Sequence, residues 1–89
     1  MKAIVTVVGK DQVGIIAAVC VKLAEYNVNV LDISQTVMQG YFTMMMVVEV
    51  SACPIPLAEL VGIMEEMGKE KGLSIRLQRE DIFEAMHRV

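Results

Sequence analysis

The sequence predicts an α+β sandwich in which two helices cover one face of a four-stranded antiparallel sheet. Apolar residues alternate with a period of two, or run continuously, in four short segments, which is typical of strands. In two longer segments they recur at helical spacing. Glycine, proline and asparagine separate these segments, and the resulting order is strand, helix, strand, strand, helix, strand.

The first strand and helix are joined by a short turn. Residues 2–8 are almost entirely apolar or β-branched, which predicts a central strand. Residues 14–26 have helical periodicity, with Asp11 as the preferred N-cap and Gln12 as the alternative. Asn27 suits the left-handed turn at the helix C-terminus. The apolar face of this helix consists of Ile16, Val19, Cys20 and Leu23.

The second and third strands form a predicted hairpin. Residues 28–38 alternate in polarity, which predicts a half-buried strand. Gln39 and Gly40 provide a two-residue turn in which the glycine adopts a positive φ. Residues 41–50 return as the third strand. The side of the second strand expected to face the core carries Leu31, Ile33 and Val37.

The last third of the chain adds a helix, a strand and a short helix. Two prolines within residues 51–56 end the strand pairing. Residues 57–71 carry an apolar stripe, and Gly72 follows as the residue that ends this helix. Residues 73–78 alternate again as the fourth strand, and residues 80–87 can form a short amphipathic helix.

Right-handed crossovers place both long helices on one face of the sheet, which is the ferredoxin-like βαββαβ arrangement. The first and third strands are then central. We expect one domain over residues 1–79 and a helical extension over residues 80–89. The opposite face is too apolar to stay exposed, so we expect the helix carrying Ile82, Phe83 and Met86, from the same or another subunit, to cover it. That face carries Ile4, Thr6, Val8, Thr43, Met45 and Val47.

Composition limits the possible functions. The chain is 55% hydrophobic and carries a net charge of −3, and its basic residues are scattered without aromatic residues between them. This pattern argues against direct binding of nucleic acid. No apolar run approaches about 18 residues, so we expect neither a membrane span nor a signal peptide, and we expect a cytoplasmic protein. Cys20 and Cys53 are interpreted as free thiols, and no metal or cofactor is expected.

The sequence does not favour an enzyme. The single histidine, His87, lies near the C-terminus, and no serine has a histidine plausibly beside it. Gly9-Lys10-Asp11-Gln12-Val13-Gly14 matches neither the dinucleotide fingerprint nor the P-loop. One interpretation is a tight strand-to-helix turn with a capping aspartate. The other is an anion site made by the first amides of the helix and its dipole.

Asn29 has two interpretations as well. Its carboxamide could complete a cradle for a zwitterionic amino acid, since it provides both a donor and an acceptor. Alternatively, it is simply the polar residue that opens an edge strand. Because the second strand is long and has no proline, its edge favours pairing with another copy. We expect a homodimer by default, or a higher homo-oligomer.

Residues 9–15, the Asn-Val-Asn-Val segment at 27–30 and the element order resemble the ACT domain over about residues 2–78. The chain looks closest to small stand-alone ACT proteins of bacteria and archaea, and more distantly like the glycine cleavage system repressor. Many amino-acid-binding members have proline where this chain has Val13, and asparagine or arginine near Gln12. The resemblance implies ligand binding by Lys10, Asp11, Gln12, Val13, Gly14 and Ile15, with Asn29 from the neighbouring subunit.

These observations favour a non-catalytic regulatory domain that binds a small metabolite, an amino acid by resemblance, at a dimer interface. The alternative is a protein–protein interaction module that regulates an enzyme or transcription factor and binds no ligand itself. An enzyme is the third and least favoured interpretation, because it would need a converging acid and base that the sequence does not display.

Overall fold

The structure, a computed structural model, describes residues 1–10 and 12–87, apart from the side chains of residues 83, 86 and 87. Asp11, and the side chains of Phe83 and Met86 that we expected to cover the sheet, therefore lie outside the described residues. The elements are β1 (Lys2–Lys10), α1 (Ile15–Glu25), β2 (Asn29–Met38), β3 (Tyr41–Glu49), α2 (Leu57–Lys71), β4 (Ser74–Arg79) and α3 (Glu80–His87).

The sheet has the predicted topology. Its strand order is β2-β3-β1-β4, and all neighbouring strands are antiparallel. β1 and β3 are therefore central, while β2 and β4 form the edges. The hairpin and the end of α1 also follow the prediction: Gly40 has φ +80° and Asn27 has φ +57°. Gln39 itself adopts φ +51°, so both turn residues are left-handed, as a type I′ turn requires.

The core lies between the sheet and the two long helices. Its members are the alternate residues of β1, β3 and β4 on one side and the apolar stripes of α1 and α2 on the other. Burying this many aliphatic and methionine side chains supplies the main driving force for folding. The most completely buried large side chains are Leu23, Met44, Met46, Leu60 and Met64.

The connection from β1 to α1 differs from the prediction. β1 continues through Gly9 to Lys10, two residues beyond the expected end. The N-cap of α1 is Gly14, at φ +83°, rather than Asp11 or Gln12. The buried face of α1 is Ile15, Val19 and Leu23, so the face is rotated and Ile16 and Cys20 lie only partly buried on its flank. A left-handed glycine turns the chain sharply enough to bring Ile15 into the core, which the apolar pattern alone could not specify.

The prediction of a half-buried β2 is wrong for the single chain. β2 is exposed along nearly all of its length, with only Val30 partly buried. Ile33 pairs with the fully buried Met46 and shares its side of the sheet, yet Ile33 is 40% exposed. An irregularity in the β2–β3 pairing adds Leu31 as an extra residue between Val30 and Asp32. The reason is tertiary: α2 packs along β4, whereas α1 touches β2 at only a few positions.

The opposite face of the sheet is covered in part. α3 contacts β1 and β4, and Ile4, on the side away from α1 and α2, is only 7% exposed. We therefore attribute the burial of Ile4 to α3. Val8 and Met45, farther along the same face, stay exposed. Within the part of the chain that the structure describes, no helix is long and apolar enough to cross a bilayer.

Candidate functional site

The candidate site lies where β1 ends and α1 begins. Lys10 is the last residue of β1, is exposed, and pairs with Tyr41 of β3. Gly14 caps α1 through its backbone, and its carbonyl accepts the N–H of Ala18 at 2.9 Å. The intervening Gln12 and Val13 are exposed, as is Gly14. The loop therefore presents backbone and polar side chains on an open surface of the single chain.

The start of α1 is electropositive. No side chain among the described residues caps this helix, and no acidic residue lies in its first turn. The N–H groups of Ile15, Ile16 and Ala17 precede the first intrahelical bond, so they can donate to an external acceptor. The helix dipole concentrates partial positive charge at the same end. Such a surface favours a carboxylate or another small anion.

Gln12 makes the one side-chain hydrogen bond that ties this loop, as far as it is described, to the rest of the fold. Its Nε2 donates to the backbone oxygen of Lys71, at the end of α2, over 3.1 Å. A carbonyl oxygen can only accept, so this contact determines which end of the carboxamide is the nitrogen. One of the two N–H donors of the Gln12 carboxamide is therefore engaged within the protein.

Val13 and Ile15 contribute to the site in different ways. The side chain of Val13 is fully exposed, whereas that of Ile15 is buried in the core. Ile15 can reach a ligand only through its backbone N–H, and its side chain anchors the first turn of α1. The sequence grouped both residues in one motif, but the left-handed Gly14 between them sends their side chains in different directions.

Asn29 does not join the loop within one chain. It pairs with Glu49, which pairs in turn with Lys2, whereas the loop follows Lys10 at the other end of β1. At about 3.4 Å per residue, the length of β1 separates the two places by about 27 Å. Asn29 is exposed at this distant end. Any site that contains both Asn29 and the loop must therefore use a second copy of the chain.

The partner of Asn29 has a perturbed acidity. The amine of Met1 and the hydroxyl of Ser51 both donate to the Glu49 carboxylate and hold its pKa below the usual value. The carboxylate is thereby stabilised in its charged form.

One contact of the loop was not visible in the sequence. A Cβ on Gly9 would lie 2.5 Å from Cδ2 of Leu73 and 3.4 Å from the oxygen of Gly72. Gly9 therefore allows β1 to pass close to the α2–β4 turn, although it lies in the strand itself. A glycine at a strand end could have signalled a close approach, but its partner is more than sixty residues away in the sequence.

The described residues contain no group of three or more histidine, cysteine, aspartate or glutamate side chains arranged to hold a metal ion. The groups that the described residues of the loop present are backbone amides, an ammonium group and a carboxamide. Groups of these kinds can donate hydrogen bonds to a small polar molecule.

Comparison with known proteins agrees with this architecture. The chain is 54% identical over 88 residues to a UPF0237 protein of Bifidobacterium longum, covering 99% of this chain and 98% of that protein. The solved structure of an ACT domain protein from Streptococcus pneumoniae superposes with a TM-score of 0.82 at 48% identity, covering 94% of each chain.

A more distant structure shares the fold alone. A formyltetrahydrofolate deformylase from Pseudomonas syringae superposes with a TM-score of 0.79 at 22% identity, covering 88% of this chain and 27% of the enzyme. The sequence model described as the ACT domain matches residues 2–78, from the start of β1 into β4. Together with the topology and the loop after β1, this match shows that the chain belongs to the ACT domain family.

Proposed function

We propose that this protein is a non-catalytic regulatory domain that binds a small metabolite carrying a carboxylate, an amino acid in the first instance, at an interface between two copies. The observation that carries the proposal is the start of α1, which has no side-chain cap among the described residues and no acid in its first turn. Its amides suit the carboxylate of an amino acid. Asp11, which lies outside the described residues, is proposed from the sequence alone as the partner of the ammonium group.

The register of the sheet explains how Asn29 would complete the site. β1 and β2 are both antiparallel to β3, so Lys10 and Met38 lie at one end of the sheet and Asn29 at the other. If the β2 strands of two copies pair in antiparallel fashion, each Asn29 approaches the Met38 end of its mate. This is the end at which the mate's loop lies, so the symmetric pair would form two equivalent sites.

β2 has the properties of an interface strand. It is an outer strand of the sheet, it is long, and it contains no proline. Ile33 and Val37 project toward the helix side without being covered. The flank of α1 that carries Ile16 and Cys20 is also only partly buried. A second β2–α1 layer would cover these side chains and satisfy the backbone groups of the edge.

The thermal test uses each of the twenty amino acids at 10 mM. A Kd of about 1 mM would add about 1.4 kcal/mol of stability at this concentration. For a domain of this size, that corresponds to a rise in Tm of about 6 °C or more. Asn29→Ala and Asp11→Ala should abolish the rise without unfolding the protein, whereas Gln35→Ala, which removes a carboxamide from the same strand, should retain it. An equal rise in all variants would refute the site.

The assembly is tested by light scattering after size exclusion. The native chain should be a dimer at micromolar concentration, and Ile33→Lys should convert it to a monomer. Ser74→Lys, which adds the same charge to the other edge strand, is the matched control and should remain dimeric. A monomeric native chain would contradict the proposed interface.

A second candidate function rests on the other edge of the sheet. A groove of about 570 Å³ runs between α2 and β4, with Glu65, Lys69 and Arg76 along it. An extended segment of a regulated enzyme or transcription factor could pair with β4 there. This function requires no metabolite, so the absence of any amino-acid response in the thermal test would favour it.

A further inference from the structure

The end of α2 offers a backbone acceptor that its own helix cannot satisfy. The last four carbonyl groups of a helix have no intrahelical partner. In α2, the N–H groups of Gly72 and Leu73 donate to the oxygens of Lys69 and Gly68, at 3.3 Å and 2.8 Å. The oxygen of Lys71 accepts from the side chain of Gln12 instead. Gln12 therefore acts as a cap for a helix that lies 59 residues away in the sequence.

The same turn contacts the site at a second point. Gly9 lies so close to Leu73 that a Cβ would approach its side chain to 2.5 Å. The β1–α1 segment is thus fastened to the α2–β4 turn on both sides of Lys10, by packing at Gly9 and by a hydrogen bond at Gln12. These two contacts limit the positions that the backbone of Lys10, Gln12 and Val13 can take.

We propose that Gln12 is a positioning residue of the candidate site and that its carboxamide nitrogen does not contact the ligand. By donating to Lys71, Gln12 orders the loop before ligand arrives, so that the first amides of α1 are already directed toward a carboxylate. Preorganisation of this kind raises affinity because the ordering cost is met before binding. This inference rests on the proposed function, which supplies the ligand.

The proposal also predicts coupling between the site and α2. If the loop binds ligand more tightly when Gln12 is bonded to Lys71, then ligand must strengthen that bond by the same factor. The α2–β4 turn, which borders the groove beside β4, would become more ordered when the site is occupied.

The experiment compares two substitutions with opposite effects on the bond. Gln12→Glu is isosteric but lacks the donor, and its charge is repelled by the negative end of the α2 dipole. Gln12→Arg keeps an N–H donor and places a cation where that dipole favours it. Ala58→Glu adds the same charge at an exposed position in the first turn of α2, at the opposite end of that helix from Lys71, and controls for charge alone.

Two measurements are made on each variant. NMR without ligand reports the Lys71 carbonyl shift and the backbone order parameters of Val13 and Gly14. In Gln12→Glu the carbonyl resonance should move upfield and the order parameters should fall from about 0.85 to below about 0.6. In Gln12→Arg and Ala58→Glu they should match the native chain. Tm is then measured for each variant with each of the twenty amino acids. In Gln12→Glu the apparent affinity for the amino acid that stabilises the native chain should fall at least tenfold. In Gln12→Arg this affinity should return to the native value.

The outcomes separate this inference from the proposed function. Two results would overturn the positioning role without contradicting the proposed site. One is a Gln12→Glu variant that binds amino acids like the native chain. The other is a Gln12→Arg variant whose loop stays disordered and whose Tm does not respond to amino acids. A native chain that responds to no amino acid would overturn the proposed function and the role of Gln12 in it, even if the NMR changes show that the bond to Lys71 orders the loop.

Discussion

The two edges of the sheet carry similar apolar side chains but differ in their burial. On β4, Ile75 and Leu77 are 3% and 4% exposed, whereas on β2, Ile33 and Val37 are 40% and 56% exposed. All four lie on the helix side, since each pairs with a buried residue of its central neighbour. The alternation of apolar and polar residues along a strand therefore assigns each residue to a face of the sheet, whereas the positions of the helices decide whether that face is covered.

Gly68 shows how α2 covers β4. A Cβ at this position would lie 2.8 Å from the oxygen of Leu73 and 3.1 Å from Cγ1 of Ile75. The missing side chain therefore lets the helix backbone approach the strand directly. α1 is the helix that contacts β2, but it touches this strand at only a few positions, so most of β2 stays exposed.

The largest expected effect contrasts the two edges directly. Ile75→Ala should lower the free energy of unfolding by about 2 to 5 kcal/mol, because it opens a cavity beneath α2. Ile33→Ala should cost less than about 1 kcal/mol at protein concentrations low enough to dissociate any dimer, because the side chain packs against little in one chain. Urea unfolding measures both. Equal losses at low concentration would mean that β2 is covered within the single chain.

The burial of the β4 edge depends on the close approach of α2 at Gly68. Gly68→Ala should destabilise the protein by about 1 to 3 kcal/mol, since the added methyl group meets the backbone of Leu73. Gly62→Ala lies in the same helix with open space around it and should stabilise by about 0.5 to 1 kcal/mol. Thermal unfolding of the two variants provides the comparison. A stabilising Gly68→Ala would show that α2 is not held close to β4.

The smallest effect concerns the end of β4. Arg79 binds Asp81 of α3 through two hydrogen bonds, at 2.6 Å and 3.1 Å, and holds the pKa of Asp81 below its usual value. A depressed folded-state pKa adds stability above the unfolded value of about 3.9 and loses it as pH falls through the folded value. Asp81→Asn should therefore lower Tm slightly at pH 7.

The difference between Asp81→Asn and the native chain should disappear in strong acid, and it should shrink at about 0.5 M salt, because the pair is exposed. Glu84→Gln removes a charge from the same helix without this partner and serves as the control. A difference in Tm that persists unchanged below the folded pKa would contradict the role of the ion pair.

The sequence predicted the features that depend on neighbouring residues. Asn27 and Gly40 were expected to be left-handed, and both are. Their roles follow from intrinsic backbone preferences near a helix end and in a two-residue turn. The strand order was also predictable, because short connections and right-handed crossovers leave few alternatives.

The wrong or missed predictions concern positions whose structure depends on contacts between segments that lie far apart in the sequence. The sequence favoured Asp11 as the cap of α1, but the structure uses Gly14, which brings Ile15 into the core. Burial of Ile15 requires the whole sheet beneath it, and a local capping preference cannot anticipate that. The bond from Gln12 to Lys71 likewise joins residues that no local pattern connects.

By itself, the sequence determined the class of fold, the order of its elements and the place of the turn that leads into α1. Periodicity, chirality and turn chemistry act over a few residues, so they can be recognised along the chain. Tertiary structure alone decided which apolar strand residues are covered, which atom caps α2, and that Asn29 stands far from the loop. These outcomes depend on how whole elements pack and on the direction of each strand in the sheet, and they exist only when the chain is folded.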